Sequence, residues 1–140
     1  MVEGKWLAPG QEISSALYIR EAVLGQSADK WDKESWNALV FSDSIPVTTG
    51  RIRYFEGEFL LENICVLPAY QHQGFGDVLT RLLLFKAQQH GARHVRLFCA
   101  EESRGYFKKF GFTEEADGSL YLSGTDICLD NCRNCGKCKK

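Results

Sequence analysis

The sequence predicts a single mixed α/β domain, and three observations carry that prediction. Its 140 residues are enough for one well-packed core. Stretches of alternating apolar residues interleave with stretches whose apolar residues recur at helical spacing. Between them lies a strand-like run, Phe59 to Val66, that ends at Pro68 and passes through a polar turn carrying Gly74 and Gly76. A helical repeat follows, with Val78, Leu79, Leu82, Leu83 and Phe85 apolar and Arg81, Lys86, Gln88 and Gln89 falling mostly between them.

Taken in order, Lys5 to Ala8 is a short first strand closed by Pro9-Gly10. Ile13, Ala16, Leu17, Arg20 and Val23 or Leu24 then fall on a helical repeat that Gly25 stops. The polar segment Ser27 to Ser35 carries Trp31, with Trp36 just beyond it, and these rings anchor a loop to the core. Asn37 to Ser42 and Val47 to Phe55 are strands joined around Asp43-Ser44-Ile45-Pro46, the second alternating Arg51 and Arg53 against Ile52 and Tyr54. Glu56-Gly57-Glu58 turns into the central strand. After the long helix, His90-Gly91 is a stop and Val95 to Cys99 a short strand. Glu101 to Phe110 is a helix, acidic in its first turn and basic in its last. Phe112 to Glu115 and Leu120 to Leu129 are the final strands.

Composition narrows the functional classes. Hydrophobic content of 44% and charge of 25% are those of an ordinary globular domain. The apolar runs are far too short to span a membrane, and the N-terminus shows no signal peptide, so a cytoplasmic protein with no membrane partner is expected. The overall charge of −1 divides into a basic end, with Arg133, Lys137, Lys139 and Lys140 against Asp130, and a more acidic body. No basic face recurs in that body, so nucleic acid is not an expected partner.

The strand, glycine turn and helix start around Gly74 and Gly76 would expose backbone N–H groups at a positive helix end, which suits phosphate. An ordinary strand-to-helix turn is the alternative. No Gly-Lys-Ser/Thr follows, so this is no P-loop, and the third glycine of a dinucleotide fingerprint is missing.

Gln71-x-x-Gly74-x-Gly76 resembles the Gln/Arg-x-x-Gly-x-Gly/Ala segment of the GNAT acetyltransferases. Val66 and Pro68 precede it as in that family's strand end, and Gly105-Tyr106-Phe107-Lys108-Lys109-Phe110-Gly111-Phe112 looks like its Phe-Tyr-x-x-x-Gly-Phe segment. The resemblance runs from about Ile19 to Phe112, and Tyr18 to Leu24 is similar to the first helix of the ElaA-like branch. It implies a mixed, largely antiparallel sheet flanked by about four helices, with residues 1–127 as the acetyltransferase domain. It also implies acetyl-CoA as cosubstrate and an amine as acceptor, in a monomer or homodimer. In such folds the segment Ser27 to Ser35 often forms a second helix or a mobile loop over the acceptor pocket, and the variable regions Gln26 to Asn37 and Asp117 to Asp126 form much of that pocket.

The resemblance also implies site residues. Pantetheine would pair with backbone at Cys65, Val66 and Leu67 where the central strand splays from the next. Pyrophosphate would rest on Gln73, Gly74, Phe75, Gly76 and Asp77, with the Gln71 side chain nearby. Glu62, on the strand leading to the motif and expected on the same face as Ile64 and Val66, is the candidate base. A rim carboxylate paired with Arg51 or Arg53 is the alternative. The family's tyrosine position is here Phe107, placed beside the cofactor, with Tyr106 one residue earlier. Adjacent helical residues point about 100° apart, so the general acid is either Tyr106, through a small shift of the helix, or a water. Cys99 ends the neighbouring strand, but direct transfer is expected rather than an acetyl-cysteine.

Residues 128–140 form a cysteine-rich basic tail. Cys128, Cys132, Cys135 and Cys138 crowd together tightly enough to ligate a soft metal ion or cluster, to form a redox pair, or to stay exposed. Two alternatives to catalysis therefore stand: a non-catalytic acyl-CoA-binding sensor, and a domain gated by the metal or redox state of this tail. The acidic candidates Glu62, Glu101, Glu102 and Asp126 favour a small cationic acceptor.

Overall fold

A computed structural model describes residues 1–127. Cys128, Cys132, Cys135 and Cys138, proposed above as metal ligands, lie outside the described residues, as does the end of the last expected strand. Seven strands form one sheet: β1 (Val2–Leu7), β2 (Trp36–Ser42), β3 (Ile45–Phe55), β4 (Glu58–Val66), β5 (His94–Leu97), β6 (Thr113–Glu114) and β7 (Leu120–Ser123). Their order is β1-β2-β3-β4-β5-β7-β6. The β4–β5 pair is parallel and every other pair antiparallel. The mixed, mainly antiparallel sheet expected from the sequence is present.

Short turns build the first half. Asp43 and Ser44 at φ 50° and 71°, and Glu56 and Gly57 at φ 49° and 85°, are two-residue hairpin connections whose positive φ values match the sheet's twist. The first strand is longer than the expected Lys5 to Ala8, because all of Val2–Leu7 pairs with β2 at the sheet edge. An edge strand need not show the alternation that sequence reading relies on.

Helix α1 (Ser14–Leu24) and helix α2 (Phe75–Gln89) cover opposite faces of the sheet. Leu79, Leu83, Leu84 and Ala87 of α2 pack with Ala38, Val40, Val47, Ile52 and Leu61 in the main core. Ala16 and Ile19 of α1 pack with Leu7, Leu39 and Cys65 in a smaller one. Gly25, at φ 66°, ends α1 as the sequence predicts.

Two expectations need correction. Instead of about four helices, the described residues hold three α-helices, since the segment before β2 forms only a 3₁₀ turn at Asp32–Glu34. That segment offers no apolar stripe, and buried ion pairs hold it in place. The expected helix Glu101 to Phe110 is a 3₁₀ turn, Glu101–Ser103, followed by the short α3 (Arg104–Lys108). Its one buried side chain is Phe107, so a single turn is enough to seat it. Likewise the final strand stops at Ser123, where a 3₁₀ turn, Gly124–Asp126, begins.

Candidate active site

The site begins where the sheet opens. Strands β4 and β5 pair only from Phe59↔Val95 to Leu61↔Leu97. The last bond between them runs from Phe98 N to Leu61 O at 3.1 Å. Beyond that point β4 continues to Val66 without β5, and a cavity of about 940 Å³ fills the gap. Glu62, Cys65, Val66, Gly74, Gly76 and Tyr106 are among its walls.

A bulge shapes the open part of β4. Asn63 has φ 55°, and the β3–β4 register shifts between Thr49 and Arg51. A single extra residue inverts the alternation of side chains beyond it. Phe59, Leu61, Ile64 and Val66 therefore all pack toward the α2 core, and Cys65 packs with the α1 core. Glu62 instead lies opposite Arg51. The expectation that Glu62 shares a face with Ile64 and Val66 is thus wrong, because the bulge falls between them.

At the far end of the cavity, α2 starts as the glycine turn predicts. Gly74 is its N-cap at φ 89°, a conformation that side chains rarely take. The first helical bond runs from Val78 N to Gly74 O at 3.2 Å, so the N–H groups of Phe75, Gly76 and Asp77 precede the intrahelical ladder. A Cβ on Gly76 would sit 3.6 Å from both the Tyr106 hydroxyl and Val66 Cγ2. The turn is fixed from below: Gln71 Nε2 donates to Val66 O and Gln73 Nε2 to Ala69 O, each at 3.1 Å. The Phe75 ring faces the core and meets Tyr70 edge-on. Asp77 pairs with Arg81 at 2.9 Å. Leu67 N donates to Val47 O at 2.9 Å, which leaves the Val66 N–H on the opposite, open side of the strand.

Tyr106 and Phe107 both line the cavity, but they differ in burial. Phe107 is a core residue, and Tyr106 stands half-buried with its ring edge-on to Phe107 and Phe110. Burial, reinforced by the Asp77 charge, pushes the Tyr106 hydroxyl above its ordinary pKa, against opposing effects of Thr80 and Arg81. It is therefore a protonated group at neutral pH and available as a donor.

The acetyltransferase (GNAT) domain profile matches residues 35–114. The chain belongs to the GNAT acetyltransferase family. A Bacillus subtilis relative named an uncharacterized N-acetyltransferase, YjcF, is 28% identical over 110 residues, covering 73% of this chain and 79% of that protein. Among solved structures, a GNAT family acetyltransferase from Elizabethkingia anophelis with acetyl-CoA bound superposes at a TM-score of 0.75. It covers 87% of this chain and 97% of its own at 14% identity. A Brucella melitensis GNAT acetyltransferase in complex with acetyl-CoA gives 0.67, covering 88% of each chain at 21% identity. These structures share the fold.

In this GNAT domain the candidate base sits within a charged network that sequence reasoning only touched. Glu62 Oε1 accepts from Arg51 Nε and Nη2 at 3.2 and 2.9 Å and from Arg53 Nε at 2.8 Å. Its Oε2 accepts from Arg53 Nη2 alone, at 3.2 Å, which leaves that oxygen with acceptor capacity. Arg51 Nη1 reaches Asp29 at 2.7 Å and Asp32 at 3.2 Å. Asp32 in turn takes both arms of Arg20 at 3.0 Å. Arg20, Arg51 and Asp32 are 1%, 3% and 7% exposed. The pairing with Arg51 and Arg53 was foreseen. The roles of Arg20, Asp29 and Asp32 were not, although a charge on the apolar repeat of α1 was the available signal.

The network also explains the tryptophan-bearing segment. Trp31 lies under the Arg53 guanidinium at 4.4 Å and edge-on to Phe55 at 6.1 Å. Trp36 belongs to β2 and meets Trp6. Trp36 packs against the main core, whereas Trp31 fastens its loop to Arg53 and Phe55 of β3, outside both cores.

Neither Cys65 nor Cys99 is primed for covalent chemistry. Burial pushes the Cys65 thiol up to about 12, against the nearby Arg20 charge. Burial raises Cys99, on the cavity wall, in the same way. A reactive cysteine needs the reverse shift. Glu101, Glu102 and Asp126, counted as acidic candidates, line neither this cavity nor the smaller groove described below.

Proposed function

We propose that the protein transfers the acetyl group of acetyl-CoA directly to a primary amine of a small acceptor. The observation that carries this reading is one cavity that combines a helix N-terminus, an unpaired strand edge, a carboxylate and a half-buried phenol. The N–H groups of Phe75, Gly76 and Asp77, with Gln73 and Gly74, would receive pyrophosphate at the positive end of α2. The absence of a Cβ at Gly76 keeps that approach open. The free edge of β4 at Val66 would pair with pantetheine amides as a neighbouring strand would, whereas the backbone of Cys65 and Leu67 faces β3. The Val66 N–H would donate to the thioester carbonyl and polarise it.

Placing both substrates in line across this gap supplies much of the rate. The acceptor must shed a proton to become nucleophilic, and Glu62 Oε2, directly or through a water, is the acceptor for it. The amine nitrogen then attacks the carbonyl carbon. The C–S bond breaks as the C–N bond is completed, and the sulfur takes the Tyr106 proton. Glu62 releases the first proton to solvent, and the second proton, shed by nitrogen as the adduct collapses, restores the phenol, so the products are an acetamide and free CoA thiol. The Tyr106 hydroxyl on the cavity wall favours catalysis over a sensor role, despite Phe107 at the family's tyrosine position.

Calorimetric titration with acetyl-CoA, followed by an amine screen read as acetylated product, tests the reading. Binding by the native chain and its loss in Gly74→Glu are expected. The variant places a negative side chain, in a strained backbone conformation, beside the turn. No binding by the native chain would overturn the proposal.

A further inference from the structure

A second, smaller groove opens next to the cofactor cavity and shares Glu62 and Phe98 with it. These are the residues at which β4 and β5 part, since Phe98 N makes the last bond to Leu61 O. The groove holds about 360 Å³ and runs from Glu62 along the β3–β4 hairpin to its tip at Glu56. It lies on the face that α2 does not cover, because Arg53 and Glu62 point away from the α2 core.

Its floor is mixed along its length, with Leu60 between Arg53 and Arg96, Phe98 at the Glu62 end and Phe55 beside Glu58. Leu60 is buried at the base, while Phe55 and Phe98 remain 42% and 43% exposed, presenting ring surface to the groove. The two arginines are already neutralised. Arg53 binds Glu62, and Arg96 holds Glu58 through a two-armed pair at 3.0 and 2.9 Å. That leaves Glu56, exposed at the hairpin tip, without an ion pair among the described residues. The groove therefore joins the Glu62 carboxylate at the reaction end, the apolar surfaces of Phe98, Leu60 and Phe55 between ion-paired arginines, and the unpaired carboxylate of Glu56 at the other end. Glu58 starts the strand that carries Glu62, about 13 Å away along its backbone.

We propose that this groove seats the acceptor and selects amines that carry a second positive charge at the far end of an apolar chain. The reacting nitrogen would lie at Glu62, the chain against Leu60, Phe55 and Phe98, and the second ammonium at Glu56. This rests on the acetyl-transfer reading above and adds the substrate class to it.

The test compares 1,8-diaminooctane with octylamine, which lacks only the second amine. Each is titrated into the full chain saturated with CoA, and each is assayed as acceptor with acetyl-CoA. An exposed charge pair predicts about three- to fivefold tighter binding of the diamine, seen in KM rather than kcat and shrinking with added salt. Glu56→Gln, at an exposed position with no ion-pair partner to lose, should bring the two amines level. Equal binding of the two amines by the native chain, or a preference that survives Glu56→Gln, overturns the proposal. Acetyl-CoA binding without binding of either amine also sinks it while sparing the acetyl-transfer reading. Failure to bind acetyl-CoA removes that reading itself.

Discussion

Asp32 is the most exacting test of how this fold is held around its site. Its carboxylate takes both arms of Arg20, one arm of Arg51 and the Asp29 N–H at 2.9 Å. Asp32→Asn removes the charge while nearly preserving shape. Arg51 would retain Asp29 and Glu62, but Arg20 would lose its ion pair and keep only neutral acceptors, the amide oxygen at 32 and the Asn37 side-chain oxygen at 3.0 Å. Removing one partner of a buried pair costs about 3–5 kcal/mol, and the remaining partners of Arg51 place the expected loss near about 3. Against a total stability of roughly 5–15 kcal/mol, that lowers Tm by about 10 °C for a domain of this size. The pH dependence adds a second arm. Burial alone would raise the Asp32 carboxyl, but the Arg20 bonds, the Asp29 amide and both guanidinium charges outweigh it and hold the pKa below its ordinary value. A carboxylate depressed in the folded state stabilises above its unfolded pKa, and the contribution fades as pH falls through the folded one. Thermal unfolding of both proteins by circular dichroism should therefore show a full gap at pH 7 that closes below about pH 4. A variant within about 1 kcal/mol of the parent at pH 7, or a gap that persists in acid, would refute the reasoning.

Three further predictions concern the phenol, the sheet and the tail. Tyr106→Phe should lower kcat by about 10²-fold with little change in KM for acetyl-CoA. Because burial raises the native phenol, its deprotonation should depress activity only above about pH 10, and a descending limb near neutrality would exclude it as the acid. Gly124→Ala would set a Cβ 1.8 Å from Ala92 O and 2.8 Å from Ala92 C, both backbone atoms. Denaturant unfolding should show a loss of about 3 kcal/mol or more, and a silent substitution would contradict the packing there. We propose the domain boundary at 127/128, since Ile127 still packs in the main core. A chain cut after Ile127 should keep its Tm and acetyl-CoA affinity, and a drop in either would make the cysteine tail part of the working body.

The central part of the fold was legible because its signals are local. The apolar run into Pro68, the glycine turn and the helical repeat of α2 each lie within a few residues, and the structure forms all three. Hairpin turns at Asp43-Ser44 and Glu56-Gly57 were equally local. The elements that were misjudged are those whose form depends on distant partners: the edge strand β1, the 3₁₀ turn at Asp32–Glu34 and the shortened α3.

The sequence by itself carried the family and the glycine turn at Gly74 and Gly76 that starts α2, and it offered the pairing of Glu62 with Arg51 or Arg53 as one of two readings. Only the tertiary structure decided which way that carboxylate points. A single residue at positive φ, Asn63, inverts the alternation between Glu62 and Val66, and no periodic pattern announces one extra residue. Likewise Arg20, Asp29, Asp32 and Arg51 come from a helix, a loop and a strand, and only folding brings their charges within hydrogen-bond reach. The smaller groove has the same origin: Glu56, Phe98 and Arg96 line one space because β4 and β5 pair for three residues and then separate.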